Sequence, residues 1–119
     1  MNKKVLIVAT LLLSIFLSSC STLKSQSQTF YVDGTYEGKG NGYGRGLNVS
    51  VNIKDGEIND IVIVSHNEVG KQYYEQAFEE IPRAIIETQN IHVDSISGAT
   101  NTSNGIKEAV GNALEEASK

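Results

Sequence analysis

The 119-residue sequence has one cysteine, Cys20, and two histidines, His66 and His92. A lone cysteine can form neither an internal disulfide nor a cysteine metal cluster, and the histidines lack the close spacing of metal ligands. No metal site is predicted, and the stability of the fold must come from packing. The apolar content of 39% is ordinary for one modest globular domain.

Basic residues are also few, with ten Lys and Arg against fourteen Asp and Glu. A nucleic-acid surface needs clustered Lys and Arg to neutralise phosphates, so the sequence argues against a nucleic-acid partner. Without residues 1–19, which we interpret below as a signal peptide, the net charge falls to about −6. Such an acidic balance indicates little beyond solubility.

Long hydrophobic runs are missing as well. The apolar segment from Val5 to Leu17 has only about a dozen residues, and at ~1.5 Å per residue it falls short of the ~30 Å core of a bilayer. Lys3 and Lys4 precede it. A positive end followed by a short apolar run is typical of an export signal rather than a transmembrane anchor.

The segment Leu17-Ser18-Ser19-Cys20 resembles the bacterial lipoprotein signal. The resemblance implies cleavage before Cys20 and a diacylglycerol thioether on its thiol. We therefore expect a signal peptide over residues 1–19, a lipidated Cys20 with a polar flexible tether over residues 20–29, and a location on the extracytoplasmic face of the cell membrane. The alternative is an unmodified cysteine after an ordinary signal peptide.

The middle of the chain predicts three strands. Residues 30–39 favour a short first strand, and Leu47 to Lys54 alternate between apolar and polar residues, as in a strand with one buried face. Asp55-Gly56 suits a tight primed turn, after which Ile58 and the apolar run 61–64 return. Four consecutive apolar residues suggest that both faces of this last strand are covered.

Glycine occurs at every second position from Gly38 to Gly46. Phosphate-binding glycine loops follow a strand and lead into a helix. Here a strand follows instead, so the spacing favours a flexible or bulged hairpin connection over a nucleotide loop.

Two helical regions follow. Residues 71–89 show helical spacing of apolar residues, and Pro82 predicts a break that starts a second short helix. A cleaner amphipathic helix begins after residue 103, and its apolar stripe comprises Ile106, Ala109, Val110, Ala113, Leu114 and Ala117. The predicted fold class is α+β, a small antiparallel sheet covered by helices in a single domain over residues 30–119.

Between the helices lies a hydroxyl-rich segment, Val93 to Ser103, which leads directly into the last helix. A helix N-terminus can hold a phosphate through its free backbone N–H groups and its partial positive charge. The residue types alone favour a plainer role, in which Thr100, Thr102 and Ser103 cap the helix.

The sequence Asp94-Ser95-Ile96-Ser97-Gly98-Ala99-Thr100 resembles the flavinylation signature of the FMN-binding domain family. Likeness to this family extends over roughly residues 34–117. The resemblance implies that Thr100 forms a phosphoester with FMN, which a separate flavin transferase supplies from FAD with magnesium. It also places the cofactor near the remaining motif residues, namely Asp94, Ser97, Gly98, Ala99, Thr102 and Ser103. Asp94 is either a turn former or a recognition element for the transferase.

His66 and Glu68 stand in a loop after the third strand and resemble a His-x-Glu of the same family. The resemblance implies that one of them contacts the flavin. Without the resemblance, the interpretation of His66 is a residue of a solvated polar loop.

Together these features predict a membrane-tethered redox carrier rather than a stand-alone enzyme, and no catalytic residue is assigned. Its expected partners are the flavin transferase, a membrane quinone-linked oxidoreductase and a downstream electron acceptor. Two alternatives are a lipoprotein that binds FMN or a small ligand non-covalently as a sensor, and a structural lipoprotein without a cofactor.

Overall fold

The computed structural model describes residues 30–119. The predicted signal peptide, Cys20 and the tether lie outside the described residues. The elements are β1 (Gly34–Gly40), β2 (Leu47–Lys54), β3 (Glu57–Ser65), α1 (Lys71–Thr88) and α2 (Thr100–Ala117). They form an α+β domain, as predicted.

The three strands form one antiparallel sheet in the order β1-β2-β3. The central strand β2 has the predicted bounds, and its alternate residues Leu47, Val49, Val51 and Ile53 are 0–2% exposed. These side chains form the sheet side of the core, which the helices cover from one face.

The turn between β2 and β3 is the predicted primed turn. Asp55 and Gly56 both have positive φ, at 55° and 78°, the conformation that a tight two-residue hairpin requires. The carboxylate of Asp33 accepts hydrogen bonds from both of their backbone N–H groups, at 3.0 and 2.8 Å. The segment before β1 therefore fixes the turn at the far end of the hairpin.

The expectation that β3 is covered on both faces is wrong. Ile61 is buried, but Val62 and Val64 are 51% and 55% exposed. The helices lie on a single face of the sheet, so alternate residues of this edge strand point to solvent. A run of β-branched residues here reflects strand propensity as much as burial.

The predicted break at Pro82 is also wrong, because α1 is one continuous helix of 18 residues that extends past Pro82 to Thr88. Proline removes one helical hydrogen bond and crowds the preceding turn. Pro82 is nevertheless buried, next to the core residues Ile81 and Ile85, and this packing offsets the local cost. No helix of the described residues is both long enough and apolar enough to cross a membrane.

Helix α2 packs closely on β1, and glycines make this approach possible. A Cβ atom on Gly38 would lie 1.9 Å from the carbonyl oxygen of Ala109, and one on Gly40 would lie 2.3 Å from that of Gly105. Two of the alternating glycines are thus the contact surface of a strand, and the other three form the connection to β2. The predicted apolar stripe of α2 is buried throughout.

Candidate functional site

An open cleft of about 470 Å³ lies at the N-terminus of α2. Three chain segments line it: the glycine-rich β1–β2 connection, the start of α1 and the end of the hydroxyl-rich motif. The lining residues are Tyr43, Val69, Gly70, Tyr73, Gly98, Ala99, Thr100, Asn101 and Thr102. Its volume lies within the range of ~300–1,000 Å³ that is usual for cofactor pockets.

Thr100 is the first residue of α2 and its side chain is exposed in this cleft. The residue before it, Ala99, stands at the N-cap position, and no side chain caps the helix. The capping role expected from residue types is therefore wrong. The first backbone N–H groups of the helix have no partner within the helix, so the cleft offers an anion hydrogen-bond donors and a favourable dipole.

Gly98 allows close approach to the backbone beside Thr100. Its φ of +86° is favourable only for glycine, and a Cβ placed there would have Tyr73 as its nearest contact, at 3.8 Å. The turn is closed by a 2.9 Å hydrogen bond from the Ala99 N–H to the Ile96 carbonyl. Thr100 thus follows a tight turn that leaves its own side chain free.

Two side chains of α2 hold the segment from Val93 to Ala99. The Ser103 hydroxyl is fully buried, donates to the Ala99 carbonyl at 2.7 Å and accepts from the Ile96 N–H at 3.0 Å. Further along the helix, the Lys107 ammonium group donates to the Val93 carbonyl at 2.8 Å. Ser103 therefore orders the motif and is not itself exposed to a ligand.

Glu68 and Thr102 meet below the cleft. Both are buried, and the Thr102 hydroxyl donates to Glu68 Oε1. The same carboxylate accepts hydrogen bonds from the backbone N–H groups of Tyr43 and Gly44, at 2.9 and 2.6 Å. Glu68 is thereby joined to both the β1–β2 connection and the first turn of α2.

His66 lies outside the set of cleft-lining residues. Its ring packs on Tyr74 and Phe78, with centroids 4.9 and 4.7 Å apart, and Nδ1 accepts a 3.0 Å hydrogen bond from the Glu68 N–H. His66 is therefore partly packed and ordered, unlike a residue of a solvated loop. That one of His66 and Glu68 contacts a flavin stays a prediction.

The remaining motif residues lie on the surface. Asp94 and Ser97 are exposed, and no hydrogen bond within residues 30–119 engages the Asp94 carboxylate. An Asx-type turn at Asp94 is thus not formed among the described residues. Within the same residues, no three His, Cys, Asp or Glu side chains come close enough to hold a metal ion.

Sequence reasoning missed three exposed apolar residues of the cleft. Tyr43, Val69 and Tyr73 are 64%, 64% and 56% exposed and come from two segments distant from the motif. One signal of exposure was present: Tyr73 stands outside the apolar stripe of α1, which comprises Tyr74, Ala77, Phe78 and Ile81.

The model of the FMN-binding domain family matches residues 42–115, which include the whole cleft. The chain belongs to this family. It is 37% identical over 82 residues to an NADH:acrylate oxidoreductase of Vibrio harveyi and 36% identical over 73 residues to an NADH:fumarate oxidoreductase of Klebsiella pneumoniae. These matches cover 69% and 61% of this chain but only 8% of each relative.

An uncharacterized protein of Treponema pallidum is 34% identical over 84 residues, 71% of this chain and 23% of that protein. The crystal structure of the CPE2226 protein of Clostridium perfringens is similar, with a TM-score of 0.54 and 25% identity over 73% of this chain and 88% of that one. Similar regions thus occur both as a small part of large oxidoreductases and as most of a solved chain.

The residues of the cleft fit FMN. A phosphate suits the uncapped N-terminus of α2 at Thr100. A flat aromatic ring suits the exposed side chains of Tyr43 and Tyr73 on the cleft walls. Bound there, FMN supplies one- and two-electron transfer chemistry, which is the cofactor's own.

Proposed function

We propose that this protein is a membrane-tethered extracytoplasmic electron carrier whose FMN is esterified to Thr100. The observation that supports the proposal best is the position of Thr100. Its exposed hydroxyl stands on the first turn of an uncapped helix, at the end of a family motif and inside a cleft of cofactor size. A hydroxyl at this point meets a phosphate already held by backbone N–H groups.

The proposed attachment is a phosphoryl transfer. Thr100 Oγ attacks the FMN-side phosphorus of FAD, a new P–O bond forms, and the pyrophosphate P–O bond breaks to release AMP. The threonine proton leaves to a base. A threonine hydroxyl is a weak nucleophile, and among residues 30–119 no hydrogen bond to a base engages this one. The base and the magnesium therefore belong to a separate flavin transferase in this proposal.

In this proposal, the chain's own residues bind the cofactor and orient Thr100. The turn at Gly98, held by Ser103, presents Thr100 to the phosphate. Tyr43, Val69 and Tyr73 provide apolar walls for the ring system. Because the cleft is open, it would leave part of a bound flavin accessible for electron exchange with a docked partner.

The relatives suggest the class of partner. The acrylate and fumarate oxidoreductases are named for electron transfer from NADH to a small acid, and this chain matches only a small part of each. We infer that this domain supplies a carrier step that larger proteins combine with other domains. A membrane quinone-linked oxidoreductase would donate electrons, and a downstream acceptor would receive them.

The tether and the ester have a common rationale. A phosphoester prevents loss of FMN where released cofactor would be diluted outside the cell. A lipid on Cys20, followed by a nine-residue polar segment, would keep the domain within ~30 Å of the membrane surface. The carrier would then remain near membrane-bound donors.

The direct test is the mass of the intact protein after expression with and without a flavin transferase, FAD and magnesium. The proposal predicts a gain equal to FMN minus water, and flavin that stays with the chain through denaturation, only when the transferase is present. Yellow protein that loses all flavin on denaturation would indicate non-covalent binding, as in the alternative of a sensory lipoprotein. Colourless protein of unmodified mass would favour a structural lipoprotein.

A further inference from the structure

Glu68 is the one buried acidic side chain among residues 30–119. Its two carboxylate oxygens accept hydrogen bonds from three protein donors: the Tyr43 N–H, the Gly44 N–H and the Thr102 hydroxyl. A buried carboxylate is costly to leave without donors, and charge-assisted hydrogen bonds are stronger than neutral ones. These contacts therefore constrain both the β1–β2 connection and the first turn of α2.

The donors and Glu68 itself belong to the three segments that line the cleft. Tyr43 is in the β1–β2 connection, Thr102 is in the first turn of α2, and Glu68 directly precedes Val69 and Gly70. One carboxylate thus joins all three walls of the cleft from beneath. No other buried polar side chain of the described residues makes contacts to all three.

The glycine spacing fits this arrangement. A Cβ atom on Gly42 would lie 2.5 Å from Glu68 Oε1 and 3.0 Å from the Thr102 Cα. A Cβ on Gly44 would lie 2.2 Å from the carbonyl oxygen of Asn67. The β1–β2 connection can contact Glu68 this closely only because these two positions lack side chains.

Tyr43 lies between these glycines, and its side chain is 64% exposed in the cleft. Few contacts of its own hold such a residue, so its position depends on its backbone. If the glycine-rich connection were not held in place, it would have to become ordered each time a ligand ring bound. The conformational entropy lost in that ordering would lower the affinity for the ring.

We propose that Glu68 is a positioning residue for the flavin: through its hydrogen bonds to the 43–44 backbone and to Thr102, it fixes Tyr43 as one wall of the cleft. The inference rests on the proposed FMN site. It assigns Glu68 an indirect action through Tyr43, distinct from a direct contact between its carboxylate and the ring.

The first experiment needs no flavin. Amide hydrogen exchange is measured by NMR on the full chain purified without cofactor, for wild type, Glu68→Gln, the milder Thr102→Val, and Glu87→Gln as an exposed control. Losing these hydrogen bonds should speed exchange at Tyr43 and Gly44 by about tenfold or more in Glu68→Gln, while the core amide of Val51 stays protected. The control should match wild type.

The second experiment separates positioning from direct contact. Flavin circular dichroism and midpoint potential are measured on loaded wild type, Glu68→Gln, Tyr43→Ala and the double variant. If Glu68 acts through Tyr43, both single variants change the flavin signals, and Glu68→Gln adds little in the Tyr43→Ala background. Fully additive effects would show direct action and overturn the proposal.

Two further results would overturn the proposal. Unchanged exchange at Tyr43 and Gly44 in both Glu68→Gln and Thr102→Val would show that Glu68 does not hold the connection. Faster exchange with unaltered flavin signals would leave Glu68 a purely structural residue and overturn its role toward the flavin. If wild type takes up no flavin, the proposed function fails, whereas the exchange data still decide whether Glu68 fixes Tyr43.

Discussion

Within the site, neighbouring hydroxyl residues have different roles because burial differs from one turn position to the next. Thr100 is exposed, whereas Thr102 and Ser103 are buried and hydrogen-bonded beneath the cleft. The sequence alone presents all three as equivalent caps. Only the contacts of each hydroxyl separate the exposed Thr100 from the two residues beneath it.

Replacing Ser103 with alanine should destabilise the domain by about 1–3 kcal/mol, because the Ile96 N–H loses its buried acceptor. The measurement is the urea midpoint of unfolding. Ser118→Ala is a matched control, since its hydroxyl also donates to the carbonyl four residues earlier but is exposed; it should cost less than about 0.5 kcal/mol. Equal effects would refute the assigned role of Ser103.

Replacing His66 with alanine should leave flavin attachment intact but shift the flavin absorbance or midpoint potential. The imidazole accepts from the Glu68 N–H and packs on α1, so its loss disturbs the segment that leads to Val69. His92→Ala, at an exposed site, is the control. Spectra and potential identical to wild type would mean that His66 contributes only to packing.

Among the elements, those whose apolar residues repeat at a single regular spacing could be predicted from the sequence. The alternation of β2 and the stripe of α2 gave their type and buried faces, because each has one wet face and one core face. The exposed face of β3 and the passage of α1 through Pro82 could not be predicted, since both depend on where other elements pack.

The candidate site, too, could be predicted from the sequence only in part. The motif from Asp94 to Thr100 located one wall of the cleft, because its residues are contiguous and end at a helix N-terminus. Tyr43 and Tyr73 lie on other segments and come to the cleft only through the fold. Neither has a periodic or motif signal that points to a ligand.

The close contact of α2 with the β1–β2 connection gives a test at the level of elements. Gly105→Ala places a Cβ 2.5 Å from the backbone nitrogen of Gly42, so it should destabilise the domain by about 1–3 kcal/mol despite alanine's better helix propensity. In Gly111→Ala, on the same helix, the nearest atom is the flexible end of Ile91, at 3.3 Å. That variant should be neutral or slightly stabilising by thermal unfolding, and a similar loss in both would contradict the packing account.

For the molecule as a whole, attachment to the membrane is a prediction about Cys20. Cys20→Ala should yield unprocessed or soluble protein, because no thioether can form. Several acyl chains, at ~0.8 kcal/mol per buried CH₂, hold a protein firmly, whereas one chain binds only marginally. Membrane fractionation and the N-terminal mass provide the readout. Normal processing and membrane retention in the variant would remove the lipoprotein assignment.

The central claim concerns a single oxygen atom in this molecule, Thr100 Oγ. Thr100→Val keeps the β-branched shape and removes only the hydroxyl, so the fold should survive. Thr88→Val, which makes the same change at an exposed threonine outside the motif and the cleft, is the matched control.

The decisive measurement is the intact mass of both variants and wild type after expression with a flavin transferase, FAD and magnesium. We predict a gain of FMN minus water for wild type and Thr88→Val and none for Thr100→Val, with in-gel flavin fluorescence following the same pattern. Flavin retained by Thr100→Val through denaturation would contradict the attachment site, and a wild type that never gains it would contradict the covalent carrier itself.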